Sequence, residues 1–345
     1  MPEKKIKIIL RGDGNNVVGY GHVYRLLALA DMLKGEYEIV FVGSASGELL
    51  NKVINTYADE FIALPEYRHY VSPAIKKPED EMPFDMAAYL TDGEIVVLDG
   101  YWFGTNYQKA VKETGAKLVC IDDFAVNYFY ADAVINHSPG LSALQYKGEA
   151  YTRYYLGLDY ALLRRDFFTP FKEQRQPDWL FVGLGGSDQY ELTEKIAQAI
   201  VLSNSFKHIH MLVPSEFSPD VFMRIKQIVD AAGIKIQLHS KLSADAVVEL
   251  MDRCTYALVT ASTVLLECYS RGLICITGYA TGNQMNIYNG FVSENIAYGI
   301  GDLNKFEPKA MGEVIAALIS GGRVRKSKKP LQSQNNIRQI FEALC

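Results

Sequence analysis

The sequence lacks the features that mark several common classes of protein. No apolar run approaches the ~18 residues of a membrane-spanning helix, so we expect no membrane span. Lys and Arg number 35 against 40 Asp and Glu, and the net charge of -5 argues against a nucleic-acid partner. No GxGxxG follows the first predicted strand and no GxxxxGK[ST] occurs, which argues against a nicotinamide oxidoreductase and a P-loop protein.

The sequence contains few cysteines, and their spacing matches no paired motif. The five cysteines form no CxxC motif, and Cys120 and Cys275 lie inside apolar, strand-like runs. Buried free thiols in a reducing cytoplasm are the expectation. The opening "MPEKKIKIIL" has no cleavage-site pattern after it and is interpreted as a first strand rather than a signal peptide.

Short apolar runs alternate with amphipathic, helix-spaced stretches along the whole chain. In the first half these runs are 5–10, 38–43, 94–100, 117–123 and 132–137. Such alternation predicts parallel sheets with helices on both faces.

The alternation is interrupted by "YALLRRDFFTPFKEQRQPDW" (160–179), which we interpret as an interdomain connection. It then resumes with apolar runs at 179–186, 208–214, 235–240, 256–262 and 273–279. The prediction is an α/β fold of two Rossmann-like domains facing a cleft, with the first over 1–160 and the second over 178–328. In such sheets ligands bind beyond the carboxyl ends of the strands.

The stretch "GYGHVYR" (19–25) follows the first strand by a short loop. Gly19 and Gly21 permit a tight backbone, and His22 falls in the first turn of the helix that follows. Arg25, three residues later, shares the face of His22. This placement suits a general base; the alternative is a histidine that only caps the helix.

Two turns in the second half offer backbone N–H groups or a helix start to a nucleotide phosphate. The alternative for the first turn is an ordinary strand–helix turn. The alternative for the second is a surface Glu267 in a well-capped helix. The candidates are Gly185, Gly186, Ser187 and Asp188 in "GLGGSD", and Ser262, Thr263 and Glu267 in "ASTVLLE".

Polar residues follow further predicted strands. The amides of Asn283 and Gln284 suit sugar hydroxyl or acetamido groups, unless they belong to an ordinary polar loop. Asp99 and Tyr101 follow one strand of the first half. Asp122 and Asp123 follow the next, but adjacent strand residues point to opposite faces, so they are not expected to share a metal. We assign no metal and no cofactor.

Together, in this order and spacing, these motifs resemble a known family. "RGDGNNVVGYGHVYRLLALA", "LDGY", "IDD", "YLGLDYALLRRDF", "GLGGSD", "AST" with its later Glu, and "NQ" are similar to the UDP-2,4-diacetamido-2,4,6-trideoxy-β-L-altropyranose hydrolases of pseudaminic acid biosynthesis. That family is related to MurG-like glycosyltransferases of GT-B architecture. The resemblance covers most of the chain, although 60–92 does not align, and "GDGNN" and "FGTNYQ" depart from the family pattern.

The resemblance implies a role for each matching residue. His22 would be the catalytic base, assisted by Tyr101 and Asp99. Sugar and substrate contacts would come from Asp13, Gly19, Gly21, Arg25, Asn283 and Gln284. The nucleotide would be held by Gly185, Gly186, Ser187, Asp188, Ser262, Thr263 and Glu267. A helix in 329–345 would return to the first domain.

The implied function is metal-independent hydrolysis of a UDP-sugar, which would be the small-molecule partner, in surface polysaccharide synthesis. Two alternatives stay open. One is a GT-B glycosyltransferase that uses a UDP-sugar donor, against which the low pI and the lack of a basic amphipathic helix count. The other is a non-catalytic nucleotide-sugar-binding protein. The sequence makes no prediction of oligomeric state.

Overall fold

The computed structural model describes residues 5–15, 18–45, 48–66, 81–91, 93–171, 175–185, 192–214, 218–321 and 331–345. The chain divides into two compact units. Unit 1 comprises Met1–Arg165 and Gln332–Cys345, and unit 2 comprises Asp166–Leu331.

Unit 1 is built on a seven-stranded sheet in the order β3-β2-β1-β4-β5-β7-β9, in which every described pairing is parallel. Its strands are β1 (Lys7–Gly12), β2 (Glu38–Gly43), β3 (Glu60–Ala63), β4 (Ile95–Asp99), β5 (Lys117–Ile121), β6 (Tyr128–Phe129), β7 (Ala133–Asn136), β8 (Lys147–Gly148) and β9 (Arg153–Leu156). The short β6 and β8 pair separately. The helices are α1 (Gly21–Leu33), α2 (Glu48–Tyr57) and α3 (Thr105–Glu113).

Unit 2 repeats the plan with a six-stranded parallel sheet, β12-β11-β10-β13-β14-β15. The strands are β10 (Gln176–Gly183), β11 (His208–Leu212), β12 (Lys235–His239), β13 (Cys254–Thr260), β14 (Ile274–Tyr279) and β15 (Tyr298–Asp302). The helices are α4 (Leu192–Ser203), α5 (Pro219–Ala231), α6 (Ala244–Arg253), α7 (Thr263–Ser270), α8 (Met285–Ser293) and α9 (Pro308–Gly321).

Strand β4, in the middle of the unit 1 sheet, is buried along its whole length, which explains its continuous apolar sequence. All five residues of β4, "IVVLD", are buried. On one face of the unit 1 sheet, Leu98 and Leu118 pack in a cluster with Tyr107 and Val111 of α3. A strand covered on both faces has no solvent side to which a polar residue could turn. The predicted α/β class is therefore confirmed.

Besides the short β6 and β8, three strands of the two large sheets were not predicted from the sequence, namely β3, β9 and β15. All three lie at the edges of their sheets. Their residues are mostly half-buried or exposed, as in "EFIA" of β3 and "RYYL" of β9. An edge strand lacks one neighbour and needs no continuous apolar run, so the criterion that identified the central strands was blind to them.

The last helix, α10 (Ser333–Glu342), belongs to unit 1 although the whole of unit 2 precedes it in the chain. Arg338 Nε donates to the carbonyl of Met32 at 3.1 Å, which ties α10 to the end of α1. The ring of Phe341 meets Tyr37 edge-on, with centroids 6.3 Å apart. The helix thus packs against the end of α1 and the residues that precede β2.

A buried ion pair in unit 2, between Arg271 and Asp252, holds the start of this unit near Thr169. Arg271 donates from Nε and Nη2 to the two carboxylate oxygens of Asp252 at 2.9 and 2.7 Å, and both side chains are nearly fully buried. The remaining Nη1 donates to the carbonyl of Thr169 at 2.6 Å. Arg175 donates to the carbonyls of Arg271 and Gly272 and continues this network.

We expect Asp252→Ala to destabilise unit 2 by about 3–5 kcal/mol, because it leaves the buried Arg271 charge without its carboxylate partner. Urea unfolding followed by Trp179 fluorescence in a Trp102→Phe background measures unit 2 alone. The control is Glu194→Ala, which removes the partner of the exposed Arg224 and should cost less than ~1 kcal/mol. Equal losses in both variants would contradict a structural role for the buried pair.

Candidate functional site

Helix α1 starts close to the end of β1, and glycine makes this approach possible. A Cβ on Gly12 would lie 2.5 Å from Leu26 Cδ1 and 3.1 Å from the Asp99 carbonyl oxygen, so a side chain there would crowd the contact between β1, β4 and α1. The loop then turns at Gly19, whose φ of +76° is strained for other residues. Gly21 begins the helix, which places His22 in its first turn.

His22 is joined to the end of β4 by a hydrogen bond. Strand β4 pairs with β1 so that Asp99 lies opposite Gly12. His22 Nδ1 lies 2.7 Å from Asp99 Oδ1, and Asp99 is fully buried while His22 is 5% exposed. Two residues that are 77 positions apart in the sequence therefore meet at one sheet edge.

Arg25 holds the same carboxylate from a second direction. Its Nε donates to Asp99 Oδ2 at 2.7 Å and its Nη2 to Oδ1 at 2.6 Å. Burial alone would raise the pKa of Asp99, but the charges of Arg25 and His22 and their hydrogen bonds outweigh it and hold that pKa below its ordinary value. Asp99 is therefore an ionised, acceptor-only group.

The ionised Asp99 assigns the tautomer of His22. A carboxylate can only accept, so Nδ1 must carry the proton in the hydrogen bond to Asp99. In the neutral imidazole, Nε2 then has the free lone pair. The arrangement places a proton acceptor in a fixed orientation, as the second nitrogen of histidine does in acid–base sites generally.

Arg25 also binds a second buried carboxylate, Asp123. Its Nη1 and Nη2 lie 2.6 and 3.1 Å from the two oxygens of Asp123. Tyr101 donates its hydroxyl to Asp123 Oδ2 at 2.8 Å. Burial opposes ionisation of Asp123, but the adjacent Arg25 prevails and lowers its pKa well below the ordinary range. One guanidinium thus neutralises one of two ionised carboxylates.

Aromatic rings fix the imidazole of His22 from the side. Tyr101 and Trp102 both meet it edge-on, with centroids 4.6 and 5.3 Å away and interplanar angles of 82° and 80°. Such contacts favour one ring orientation. Tyr101 therefore contacts His22 with its ring and Asp123 with its hydroxyl.

Asp122 turns away from this cluster. Its Oδ2 accepts from the backbone N–H groups of Phe124 and Ala125 at 3.0 and 2.7 Å, and from the Tyr146 hydroxyl at 3.1 Å. Burial raises the pKa of Asp122, in contrast to its neighbour Asp123. The two adjacent carboxylates thus have different partners and different electrostatics.

Asp13 lies in a separate buried network that supports the glycine-rich loop. Arg11 Nη1 and the Ser44 N–H bind Asp13 Oδ1 at 2.5 and 2.7 Å. Arg11 Nη2 reaches Asp85 at 2.9 Å, and the Tyr107 hydroxyl binds the same carboxylate at 2.5 Å. Sequence reasoning singled out Asp13 but missed Asp85 and Tyr107. The one signal was Arg11, a charge inside an apolar strand.

His137 is a further buried group that sequence reasoning missed. It directly follows β7 and is 2% exposed. Burial and the charge of Arg25 lower the pKa of His137 to about 4, although Asp123 and Asp99 act in the opposite direction. It is therefore neutral at pH 7. The polar pair His137–Ser138 after an apolar strand was the available signal.

In unit 2, three adjacent strands bring several predicted residues to one sheet edge. Gly185, with a φ of +99°, follows β10, and Ser262 and Thr263 follow β13. Asn283 and Gln284 follow β14. The side chain of Ser262, the N-cap residue of α7, makes no capping hydrogen bond to the first turn. Its N–H groups point to the same edge as Gly185.

The other residues predicted in unit 2 differ in burial and in hydrogen bonding, and some lie outside the described residues. Glu267 lies half-buried on α7. The carbonyl oxygen of Gln284 accepts from the Ala280 N–H at 2.8 Å, and the Asn283 carbonyl oxygen accepts from the Thr281 hydroxyl. Both amides thus help to shape their own loop. Gly186, Ser187 and Asp188 lie outside the described residues.

The described ranges contain neither a metal-binding cluster nor a helix that could span a membrane. No group of three or more His, Cys, Asp or Glu residues there has a geometry that could hold a metal ion. His210 Nδ1 approaches His239 Nε2 to 3.0 Å, but these two imidazoles lack a third ligand of those types. None of the described helices is both long and apolar enough to span a bilayer.

Replacing Arg25 with Met should destabilise unit 1 by about 3–5 kcal/mol at pH 7, because Asp99 and Asp123 then share a buried site without a counter-charge. In the wild type both carboxyls have lowered pKa values, so their ionisation stabilises the fold above about pH 4 and is lost as pH falls further. In the variant the two buried carboxyls have no counter-charge, so burial raises their pKa and they become protonated as pH falls from 7, which removes the destabilising charges. The stability difference should therefore be largest near pH 7 and shrink towards pH 4.

This pH dependence is measured by urea unfolding followed by Trp102 fluorescence in a Trp179→Phe background. The control is Glu36→Ala, which removes an exposed partner of Arg338 and should change stability little at either pH. A deficit in Arg25→Met that stays constant from pH 7 to pH 4 would refute the electrostatic explanation.

Comparison with known proteins gives distant but extensive similarities. No protein-family model matches the chain. The chain is 22% identical over 269 residues to the UDP-2,4-diacetamido-2,4,6-trideoxy-beta-L-altropyranose hydrolase of Campylobacter jejuni, with 76% of this chain and 87% of the relative covered. It is 25% identical over 301 residues to the spore coat polysaccharide biosynthesis protein SpsG of Bacillus subtilis, with 84% of this chain and 82% of the relative covered.

Among solved structures, MurG of Acinetobacter baumannii has a TM-score of 0.65 at 13% identity, with 98% of this chain and 99% of that chain covered. At this identity the likeness concerns the fold alone. It agrees with the two Rossmann-like units and confirms the expected GT-B class. The chain therefore resembles the diacetamido-trideoxy-altropyranose hydrolase in sequence and has the fold of MurG.

Proposed function

We propose that this protein hydrolyses a UDP-linked 2,4-diacetamido-2,4,6-trideoxy sugar in the synthesis of a pseudaminic acid-type (nonulosonic acid) glycan. The observation that carries the proposal is the His22 Nδ1–Asp99 hydrogen bond of 2.7 Å, which leaves Nε2 as an oriented proton acceptor. Similarity to the Campylobacter hydrolase supplies the substrate class. A role in nucleotide-sugar chemistry is the broader statement that both curated relatives support.

The charge of the unit 1 cluster favours a sugar over a phosphate. Asp99 and Asp123 carry two negative charges against the single positive charge of Arg25, all of them buried. An excess negative charge repels a diphosphate but tolerates an uncharged sugar ring. We therefore propose that the sugar lies by His22 and Tyr101, while Asp13, Asp99 and Arg25 act as buried positioning residues.

The nucleotide is assigned to the sheet edge of unit 2. The uncapped first turn of α7 and the turn at Gly185 offer backbone N–H groups, which suit phosphate oxygens. Ser262 and Thr263 add hydroxyls, and Glu267 would accept hydrogen bonds from the ribose. Asn283 and Gln284 would contact the sugar or its phosphate, and Gly186, Ser187 and Asp188 would complete the turn.

The proposed reaction needs one water and no metal. His22 Nε2 removes a proton as the water oxygen bonds to the anomeric carbon from the side opposite the nucleotide. The bond between that carbon and the phosphate oxygen breaks, and its electron pair leaves with UDP. The products are the free sugar and UDP, and the proton on His22 passes to solvent. Backbone donors in unit 2 would stabilise the charge that grows on the leaving phosphate.

His22→Gln should lower kcat by about 10²–10⁴-fold, which is the usual contribution of a positioned base. UDP binding should be retained, because the nucleotide site is assigned to other residues. Sugar release is measured by NMR with the UDP-linked diacetamido sugar in the presence of a chelator, and UDP affinity by calorimetry. Unchanged turnover in a folded His22→Gln variant would remove His22 as the base.

Asp99→Asn should reduce kcat to a similar extent while the fold is kept. With the Asn carbonyl at the Oδ2 position, Arg25 Nε keeps its acceptor. The amide then takes the Oδ1 position, where it donates to His22 Nδ1 and the bond from Arg25 Nη2 is lost. That reverses the tautomer and places the proton on Nε2. Proton-detected NMR of the imidazole reports the tautomer, and Tyr101→Phe, which keeps Asp99, is the control for it. A variant with the wild-type tautomer and wild-type rate would contradict the role of Asp99.

The same NMR assay distinguishes the alternative functions. Release of sugar and UDP without any acceptor supports the hydrolase. Turnover that starts only when an acceptor is added would identify a glycosyltransferase instead. UDP binding without release under either condition would identify a binding protein and overturn the proposal.

A further inference from the structure

The groups around His22 carry an excess of negative charge. Asp99 and Asp123 are both buried, and although burial opposes their ionisation, Arg25 outweighs it and lowers the pKa of each. Burial likewise opposes the charge of Arg25, but the two carboxylates raise its pKa. Two anions and one cation leave one negative charge uncompensated at pH 7. A buried charge without a partner destabilises a fold, so this excess needs a physical reason.

The other titratable groups of the cluster supply no compensating positive charge. His137 directly follows β7, and burial together with the charge of Arg25 lowers its pKa to about 4, so its imidazole is neutral at pH 7. Tyr101, which packs edge-on against the ring of His22, donates its hydroxyl to Asp123 at 2.8 Å as a neutral phenol. The excess negative charge is therefore a property of the whole described cluster.

Arg25 would oppose a positive charge on His22 if only one carboxylate were present. Its Nη2 lies 3.4 Å from His22 Nδ1, and like charges at this separation repel each other. Asp99 Oδ1 is shared by the two groups, at 2.7 Å from Nδ1 and 2.6 Å from Nη2. One carboxylate can balance only one cation. A second anion is needed if both Arg25 and His22 are to be charged.

Asp123 occupies the position of that second anion. It binds another edge of the same guanidinium, at 2.6 Å from Nη1 and 3.1 Å from Nη2. Burial and Arg25 dominate the pKa of Asp123, but the charge of His22 also lowers it. An electrostatic interaction acts equally on both partners. Asp123 therefore stabilises a positive charge on His22.

We propose that Asp123 is the counter-charge for the imidazolium that forms when His22 takes a proton from the attacking water. The inference rests on the proposed function and adds to it a positioning residue, which acts on His22 through space and through Arg25. Before the proton transfer Asp99, Asp123, Arg25 and His22 together carry one negative charge, and after it they are neutral. The excess charge of the resting site is thus cancelled in the step that the base performs, and this favours the step.

Asp123→Asn removes the charge and keeps the size of the side chain. The Asn carbonyl can still accept from one nitrogen of Arg25, and the bond to the other is lost. The acid limb of the pH profile of kcat/KM should move to lower pH by about one unit, the usual effect of losing a nearby opposite charge. At pH 8 kcat should fall about three- to tenfold, because a weaker base removes the proton less readily.

The profile is measured by NMR as sugar release from the UDP-linked diacetamido sugar, and UDP affinity is measured by calorimetry. UDP should bind to Asp123→Asn as tightly as to the wild type, because the nucleotide is assigned to unit 2. An acid limb at the wild-type position in a folded Asp123→Asn variant would overturn the inference, even if kcat falls, since a merely structural partner of Arg25 can lower kcat without moving the limb.

The matched control is Asp122→Asn, at the neighbouring buried carboxylate. The hydrogen bonds to Asp122 all end on Oδ2, so the Asn carbonyl can keep them, and their donors include neither Arg25 nor His22. Its acid limb should stay at the wild-type position. Asp123→Glu keeps the charge and displaces the carboxylate, so its limb should stay close to that of the wild type whatever its kcat. A shift in either control as large as that of Asp123→Asn would also refute the counter-charge.

Protonation of His22 can be followed without substrate. NMR titration of the imidazole signals, in which His22 is identified by its absence from the His22→Gln spectrum, should show the midpoint of His22 about one pH unit lower in Asp123→Asn. The midpoint should not move in Asp122→Asn. If Asp123→Asn does not fold, Asp123→Ser removes the same charge without placing an amide against Arg25, and the same shift is expected. Equal midpoints in the folded variant and the wild type would contradict the coupling.

The outcomes separate this inference from the proposed function. A wild type that binds UDP but releases no sugar would overturn the proposed function, and the role of Asp123 in the reaction falls with it. Turnover that is lost in His22→Gln but has the same acid limb in Asp123→Asn and the wild type would leave the hydrolase standing and overturn the counter-charge alone.

Discussion

The buried carboxylate of Asp99 is the constraint on which the rest of unit 1 depends. A fully buried charge must be paired, because the interior offers it no water. Arg25 provides that pair, and its position one turn after His22 brings the imidazole to the same carboxylate. The close packing of α1 on Gly12 and the β1–β4 register follow from the same need to bring these groups together. The proposed role of His22 as a base thus depends on the same buried carboxylate that the fold must pair.

The interior strands of both sheets could be predicted from the sequence, but of the four edge strands only β12 could. A central strand such as β4 is covered on both faces, so all its residues are buried and its sequence is a continuous apolar run. The edge strands β3, β9 and β15 are less buried and do not need such a run. Strand β15, "YGIGD", contains two glycines and a terminal aspartate and is recognisable only by its pairing with β14. The hydrophobic pattern of a sequence therefore indicates which residues are buried, and it identifies a strand only where that strand is buried.

The residues of the site could be predicted from the sequence better than the contacts between them. The rule that ligands gather at strand ends and helix starts singled out His22, Arg25, Asp99 and Tyr101, which the structure brings into contact. Helical spacing placed Arg25 beside His22, but nothing local indicates that one guanidinium binds carboxylates from two strands. Asp85 escaped notice for the same reason, since its partner Arg11 is 74 positions away. Contacts across such separations are set by the tertiary fold and have no short-range signature.

The position of α10 has a consequence for the order in which the protein matures during synthesis. Unit 1 is discontinuous, and α10 is joined to Met32 and Tyr37 only after all of unit 2 has been translated. On the ribosome, the surface that α10 covers stays bare while the second sheet emerges. Unit 2, whose residues are contiguous, can complete its fold first. The first-translated unit is thus the last to be finished, and the nascent chain carries an incomplete apolar surface for most of its synthesis, a natural target for a holding chaperone.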